Sequence, residues 1–168
     1  MGWAWALHFT QWAHEHRISE IGVPDEYKIE DKRPSECMTD SPDSFDYAAY
    51  VDNNILLGLD PKTVAAVSTD IQNSLTEHGL PVHELVGPTQ DIDFVGLHFD
   101  GRTHEVRVSW SRLWKTRLAV MYILKNLLID GKPLERIIGH ITWSILLKRE
   151  YLNILSSCYA FIRKRYKH

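Results

Sequence analysis

Residues 45–59 read FDYAAYVDNNILLGL, and the predicted fold is built around this segment. Two short apolar runs flank the polar triple Asp52-Asn53-Asn54. Aspartate and asparagine tolerate the positive φ angles that tight hairpin turns require. The stretch therefore predicts an antiparallel β-hairpin with its turn at these three polar residues.

A helix is predicted on either side of this hairpin. Residues 2–17 contain no proline and have a broad apolar face, which favours a first helix. We expect Asp60 to cap a second helix, Pro61 to occupy its first position and Gly79 to end it. Between the first helix and the hairpin, residues 18–44 hold three prolines, many charges and few aliphatic side chains. That composition predicts an exposed loop or an insertion.

The rest of the chain predicts a short strand, a second hairpin and three helices. The strand is expected at residues 81–86, and the hairpin pairs residues 92–99 with 104–109 around Asp100-Gly101, a strong turn dipeptide. The helices are expected at residues 111–129, 134–147 and 151–166. Strands joined by tight turns, with helices kept apart from them, predict an α+β fold: an antiparallel sheet with flanking helices, followed by a C-terminal helical bundle.

The first of these three helices has a predicted inner face and a predicted end. The expected inward positions are Leu113, Leu118, Met121 and Leu128. The tripeptide Gly131-Lys132-Pro133 is expected to end this helix.

Charge is distributed unevenly along the chain. Residues 1–102 hold 18 Asp and Glu against 6 Lys and Arg, a net charge of −12, whereas residues 103–168 hold 4 against 13, a net charge of +9. A basic half of this kind suits a polyanion partner. A solvated helical face that docks on the acidic half explains the same numbers, and the charges alone do not separate the two interpretations.

The location of the protein is predicted from two absences in the sequence. No apolar run approaches 18 residues, so we expect no membrane span. The two cysteines, Cys37 and Cys158, lack the spacing of a metal site, and two free thiols indicate a reducing compartment. An intracellular protein, cytoplasmic or nuclear and not secreted, is therefore expected.

Asp52, at the tip of the predicted hairpin, is a candidate metal ligand. A tight turn fixes the direction of a side chain, and flanking strands anchor it to a sheet. Two-metal phosphoryl transfer, however, needs several carboxylates around a pair of ions. Taken alone, Asp52 and its two asparagine neighbours are better explained as ordinary turn residues.

Several segments of the chain resemble, in order, those of reverse transcriptases from LTR-type retrotransposons. The first are MGWAWALHFTQ at residues 1–11, Tyr50-Val51-Asp52-Asn53, and the helix predicted at residues 61–79 with GLPVHE at residues 79–84, which resembles the next palm helix and strand. Phe94-Val95-Gly96-Leu97 follows, and then the thumb-like helices from Trp110 onward, which include Ile138-Gly139-His140-Ile141-Thr142. The resemblance covers nearly the whole chain apart from residues 18–44. It implies a partial palm subdomain with an antiparallel palm-like sheet over residues 1–109 and a helical thumb-like subdomain over residues 110–168.

The resemblance also implies roles for individual residues. Asp52 would be the catalytic metal ligand, with Asn53 at the second position of the catalytic pair. Gly2 and Trp3 would contact the incoming nucleotide and the template. The residues that resemble a primer grip are Phe94, Val95 and Gly96. The implied activity is RNA-directed DNA polymerisation, with magnesium as cofactor and a primer–template duplex as partner.

Two departures from the family pattern limit that expectation. Asn53 stands where the family usually has a second aspartate, and its neutral oxygen weakens the charge balance at a metal without removing a ligand atom. The family's earlier catalytic aspartate lies on a strand that would precede Met1, together with the fingers. We therefore expect these 168 residues alone not to polymerise, and a missing fingers and palm segment or another protein chain to be a partner. The alternative is a non-catalytic relic or domesticated domain that binds nucleic acid or protein.

Residues 110–125 combine aromatic and basic side chains. Trp110 and Trp114 accompany Lys115, Arg117 and Lys125, a mixture that suits contact with a nucleic-acid backbone. Alternatively, the two tryptophans pack in the core and the basic residues are simply solvated.

Overall fold

The computed structural model describes residues 5–31, 41, 43–126 and 131–165. The chain forms two compact units, Met1–Gln90 and Asp91–His168. Each unit contains one small antiparallel sheet and α-helices, so the α+β class is confirmed. The division after Gln90 groups the second sheet with the C-terminal helices, whereas the resemblance had placed it with the first hairpin.

The first unit contains two helices and a two-stranded sheet. Helix α1 spans Ala6–Glu20, strands β1 and β2 span Phe45–Tyr50 and Asn53–Gly58, and helix α2 spans Pro61–Glu77. A short 3-10 helix at Asp25–Tyr27 lies between α1 and β1. The predicted hairpin is thus confirmed, and α2 lies where the sequence placed it. Helix α1 begins at Ala6, after the turn residue Trp5, and continues to Glu20, whereas residues 2–4 of the predicted helix lie outside the described residues.

One apolar cluster holds this unit together. Ile18 of α1 is fully buried and Tyr47 of β1 is 2% exposed. The buried members of the cluster are Ile18, Val23, Phe45, Tyr47, Ile71 and Leu75. Since burying one large apolar side chain stabilises a fold by about 1.5–3 kcal/mol, this cluster fixes α1 and α2 against the hairpin.

The segment predicted as an exposed loop begins later than expected. Ile18 and Val23 are buried, and the backbone N–H of Ile29 donates to the carbonyl of Tyr47 at 2.7 Å. The Lys28 ammonium lies 2.9 Å from the Glu15 carboxylate. The prediction is therefore wrong for residues 18–20, which complete α1, and for the buried Val23, because a few apolar side chains outweigh the polar composition around them, whereas Gly22 and residues 24–26 are exposed as predicted. Residues 32–40 and 42 of that segment lie outside the described residues.

Helix α2 begins and ends as the sequence predicts. The Asp60 carboxylate accepts a hydrogen bond from the backbone N–H of Thr63 at 2.9 Å, which satisfies a free donor of the first turn. Gly79 has a φ of 75°, and the N–H of Leu80 donates to the carbonyl of Leu75 at 2.9 Å. This pairing after a left-handed glycine is the usual helix stop.

The second unit opens with a three-stranded antiparallel sheet. Strands β3, β4 and β5 span Asp91–Phe94, Leu97–Asp100 and Glu105–Val108, in that order across the sheet. The turn after Asp100 is confirmed, but a second turn at Val95-Gly96 divides the run that was predicted as one strand.

The prediction of a strand at residues 81–86 is wrong. In the described part of the chain these residues pair with no strand, and Leu85 and Val86 are 52% and 55% exposed. An apolar pair that stays in solvent gives a strand no face to bury, so the run forms no sheet.

Three helices follow the second sheet. Helix α3 spans Trp110–Lys125, α4 spans Gly131–Ile145 and α5 spans Ser156–Arg165, with a 3-10 stretch at Leu146–Leu155 between the last two. The predicted break at residues 131–133 is instead the first turn of α4, where a proline removes no helical hydrogen bond. No helix in the described residues is both long and apolar enough to cross a membrane.

Helix α3 faces the opposite way from its prediction. The expected inward residues Leu113, Leu118 and Met121 are 44%, 64% and 46% exposed. Leu128 lies outside the described residues. Arg112 instead lies on the half-buried side of the helix, where its guanidinium has specific partners in this unit. Apolar spacing alone could not reveal that a polar side chain takes the inner face.

Candidate functional site

The tip of the first hairpin is a two-residue turn. Tyr50 pairs with Asn53 across the strands, so Val51 and Asp52 alone form the turn. The turn predicted at residues 52–54 is therefore shifted by one residue towards the N-terminus, and Asn53 belongs to β2. This register places the Asp52 carboxylate at the outermost point of the hairpin, where the residue is exposed.

Val51 has a backbone conformation that valine rarely adopts. Its φ is 58°, in the left-handed region. A β-branched residue there is a steric outlier, since its Cβ crowds the following carbonyl at a cost of about 1–2 kcal/mol. Such strain persists only where the surrounding structure holds it, and it is concentrated at functional sites.

Two side chains of α1 hold this turn. The Gln11 amide donates from Nε2 to the carbonyl of Ala49 at 2.9 Å, and its Oε1 accepts from the N–H of Val51 at 2.5 Å. His14, only 5% exposed, donates from Nδ1 to the carbonyl of Val51 at 3.1 Å. Both backbone groups of the strained residue are thus engaged by one helix.

Sequence reasoning did not assign a role to Gln11 or His14. Their spacing of three residues places them on one face of α1. That spacing is the signal that could have identified them as a pair directed at a common target.

The Asp52 carboxylate has one partner among the described residues. The Asn53 side-chain amide donates to its Oδ1 at 3.0 Å. An exposed carboxylate with oxygen lone pairs free can bind a hard divalent cation. No group of three or more His, Cys, Asp or Glu is arranged for a metal ion in the parts of the chain that the structure describes. Among the described residues, Asp52 therefore offers a single carboxylate ligand at this hairpin tip.

The residues that resemble a primer grip form a second hairpin tip. Phe94 pairs with Leu97, and the turn residues Val95 and Gly96 have φ angles of 50° and 82°. Positive φ at both central positions is the pattern of the tight turns that match the twist of a hairpin.

Arg112 of α3 supports this second turn. Its Nη1 donates to the carbonyl of Val95 at 3.2 Å, and its guanidinium lies 3.8 Å from the centre of the Trp143 ring on α4. A Cβ added to Gly96 would lie 2.4 Å from the same Nη1. The turn, the arginine and the indole thus form one packed group, which sequence reasoning missed.

The predicted backbone-contacting residues are all solvent-accessible. Lys115, Arg117 and Lys125 are exposed on α3. Trp110 and Trp114 are 58% and 52% exposed, so the interpretation that packs both in a core is wrong. Helix α3 instead presents basic and aromatic side chains together to solvent.

The candidate residues are distributed over both units. Asp52 and Asn53 lie in the first unit, whereas the second hairpin tip and α3 lie in the second. Gly2 and Trp3, expected near nucleotide and template, lie outside the described residues.

Asp100, at the next turn of the second sheet, has a different environment from Asp52. Hydrogen bonds from the backbone N–H groups of Thr103 and Arg102 to its carboxylate hold the pKa of Asp100 below its usual value. This carboxylate stabilises its own turn, as turn aspartates commonly do.

Comparison with known proteins gave no matching family model, no matching curated protein and no matching solved structure. The likeness to reverse transcriptases therefore stays a prediction that rests on the segments quoted above.

Proposed function

We propose that this chain is the palm and thumb part of a reverse transcriptase and binds primer–template. The observation that carries the proposal is the strained two-residue turn at Val51-Asp52. Gln11 and His14 hold Val51 at a φ of 58°, and the exposed Asp52 carboxylate follows it. A carboxylate fixed in this way is suited to binding a magnesium ion at the end of a primer.

Helix α3 supports the nucleic-acid part of the proposal. Over Trp110–Lys125 it carries four basic residues and no Asp or Glu. Three of the four, Lys115, Arg117 and Lys125, are exposed and available to phosphates. Neutralising phosphates with such side chains releases counterions, so binding should weaken steeply with salt.

Polymerase chemistry would need more than Asp52. A two-metal site requires carboxylates on both sides of the ion pair. Asn53 adds a neutral oxygen but no charge. We propose that the remaining carboxylate comes from outside these 168 residues and that this chain alone binds substrate without extending it.

Primer–template binding tests the proposal first. Fluorescence anisotropy with a labelled primer–template should show binding that weakens by orders of magnitude between about 50 and 200 mM salt. The triple variant Lys115→Gln, Arg117→Gln, Lys125→Gln should reduce the salt dependence by roughly 2–3 phosphate equivalents. A matched triple variant at exposed lysines elsewhere, Lys62→Gln, Lys132→Gln, Lys148→Gln, should leave it nearly unchanged. Equal effects of the two triples would contradict a role for α3.

Primer extension tests the catalytic part. With magnesium and nucleotides, the 168-residue chain should incorporate nothing. Incorporation that Asp52→Ala abolishes would show that these residues complete the site themselves and would overturn the proposed need for an outside carboxylate.

A non-catalytic interaction module is the second candidate, and α1 favours it. Its outer face carries three large aromatic side chains, Trp5, Phe9 and Trp12, that are 60%, 49% and 57% exposed. A row of exposed aromatic rings is typical of a protein interface. If this candidate holds, Trp5→Ala and Trp12→Ala should abolish association with a protein partner and leave primer–template affinity unchanged.

A further inference from the structure

Helix α3 directs its large apolar side chains away from its own unit. Taking the half-buried Arg112 and Thr116 as the inner side, the opposite side at 100° per residue carries Trp110, Trp114 and Met121. All three are more than 40% exposed. A helix with its indoles outward needs an explanation other than core packing.

A guanidinium accompanies each of these two indoles. Arg107 lies 5.8 Å from the centre of the Trp110 ring, and Arg117 lies 5.1 Å from that of Trp114. Both arginines are exposed. Cation–π contact orients the flat indole and places a positive charge over one of its faces.

The spacing of the two indoles repeats one helical turn. Trp110 and Trp114 are four residues apart and therefore lie on one face of α3. Adjacent aromatic rings with neighbouring basic side chains are the elements with which proteins bind unpaired bases and their phosphates. In a duplex the bases stack on each other, so their faces are not available to an indole.

We propose that α3 binds an unpaired nucleic-acid strand, with bases stacked on Trp110 and Trp114 and phosphates paired with Arg107 and Arg117. This deepens the proposed function, on which it rests for nucleic acid as the ligand, and it names the single-stranded part of the substrate as what α3 contacts. A positive helix without acidic residues favours a polyanion over an apolar protein surface.

The experiment compares two labelled probes on the full chain by fluorescence anisotropy. One is a primer–template with a single-stranded thymidine overhang, and the other is the blunt duplex without it. The overhang probe should bind more tightly. Trp110→Ala and Trp114→Ala should each weaken its binding roughly tenfold or more, the range reported for loss of one stacked base. Neither variant should change the affinity for the blunt duplex.

Matched variants separate stacking from general damage. Trp12→Ala removes an indole of similar exposure, 57%, from α1 and should leave overhang binding unchanged. Trp114→Phe keeps an aromatic ring and should retain most of the affinity that Trp114→Ala loses. Circular dichroism melting curves identify any variant that unfolds, and if one of the two alanine variants does, the other is compared with the parent chain instead.

The contradicting outcomes are distinct. Equal affinity for both probes, unaffected by the tryptophan variants, overturns stacking on α3 and leaves the proposed function standing. No binding of either probe at low salt overturns both. Binding to phosphatidylserine vesicles that Trp110→Ala and Trp114→Ala abolish, without overhang binding, assigns the face to a lipid surface and also overturns the inference.

Discussion

The two hairpin tips, Val51-Asp52 and Val95-Gly96, share a backbone conformation at their first residue and differ in the residue that follows it. Each begins with a valine at positive φ, 58° and 50°, and each is held by a helix side chain that bonds the backbone of that valine. The first tip continues with an exposed aspartate, whereas the second continues with a glycine packed on Arg112.

This difference shows which of the two strained turns is explained by packing and which is not. At Val95 the neighbouring Gly96 allows the close approach of Arg112, so the conformation has a packing reason. At Val51 the residue that follows is the exposed Asp52, so the strained turn places a carboxylate in solvent. The first tip is therefore the better candidate for chemistry and the second for support.

The largest expected effect concerns Gly96. Gly96→Ala adds a Cβ that would lie 2.4 Å from Arg112 Nη1, at a φ of 82°. The displaced arginine would lose its hydrogen bond to Val95 and its contact with the Trp143 indole, and the new alanine would also be strained at this positive φ. We therefore expect the free energy of unfolding to fall by about 3 kcal/mol, as measured by urea titration. Gly79→Ala is the control, because its φ is 75° with nothing within 4 Å, and it should lose only about 1 kcal/mol. Equal losses would show that Arg112 moves freely.

Loss of the hydrogen bonds with which Gln11 holds the first tip should have the next largest effect on stability. Gln11→Ala removes two hydrogen bonds to the hairpin, so we expect a loss of about 2 kcal/mol. Gln11→Glu keeps the acceptor for the Val51 N–H, but it turns a carboxylate oxygen towards the Ala49 carbonyl and the Glu15 carboxylate, to both of which the Gln11 amide donates, so it should lose at least as much stability as Gln11→Ala. The order is read from urea unfolding. If Gln11→Ala stays within about 0.5 kcal/mol of the parent, Gln11 does not hold the turn.

Relief of strain should have a smaller effect, of opposite sign. Val51→Gly and Val95→Gly remove the Cβ that crowds the left-handed backbone, and each should stabilise the chain by about 1 kcal/mol after the entropy of glycine is counted. Thermal melting detects the gain. A destabilised Val51→Gly variant would mean that the valine side chain contributes more by packing than it costs by strain.

The smallest effect concerns pH and the aspartate of the neighbouring turn. Because the pKa of Asp100 is lower in the folded chain, its ionised form adds stability above the unfolded pKa of about 3.9 and loses it as the pH falls through the lower folded value. Asp100→Asn should therefore flatten the fall in stability below about pH 4. Urea unfolding across this pH range measures the slope, and an unchanged slope would remove the assigned role of Asp100.

The sequence predicted those elements whose signals are local. Asp60 and Gly79 bound α2 through their own neighbours, and the two apolar runs on either side of Asp52-Asn53-Asn54 identified the first hairpin. It did not predict the outward face of α3, since the inner position of Arg112 depends on Val95 and Trp143, distant in sequence. The hydrogen bonds from Gln11 and His14 to Val51 were missed for the same reason, because Val51 lies 37 to 40 residues away in sequence.

The most direct measurement of the central claim is manganese-induced broadening of amide NMR signals in the full chain, with primer–template added. Mn²⁺ replaces Mg²⁺ at oxygen ligands and broadens nearby signals. We expect selective broadening at residues 50–54, before any at residues 100–103, and its loss in Asp52→Ala. Broadening that begins at Asp100, or that persists in Asp52→Ala, would contradict Asp52 as the metal-binding carboxylate of this chain.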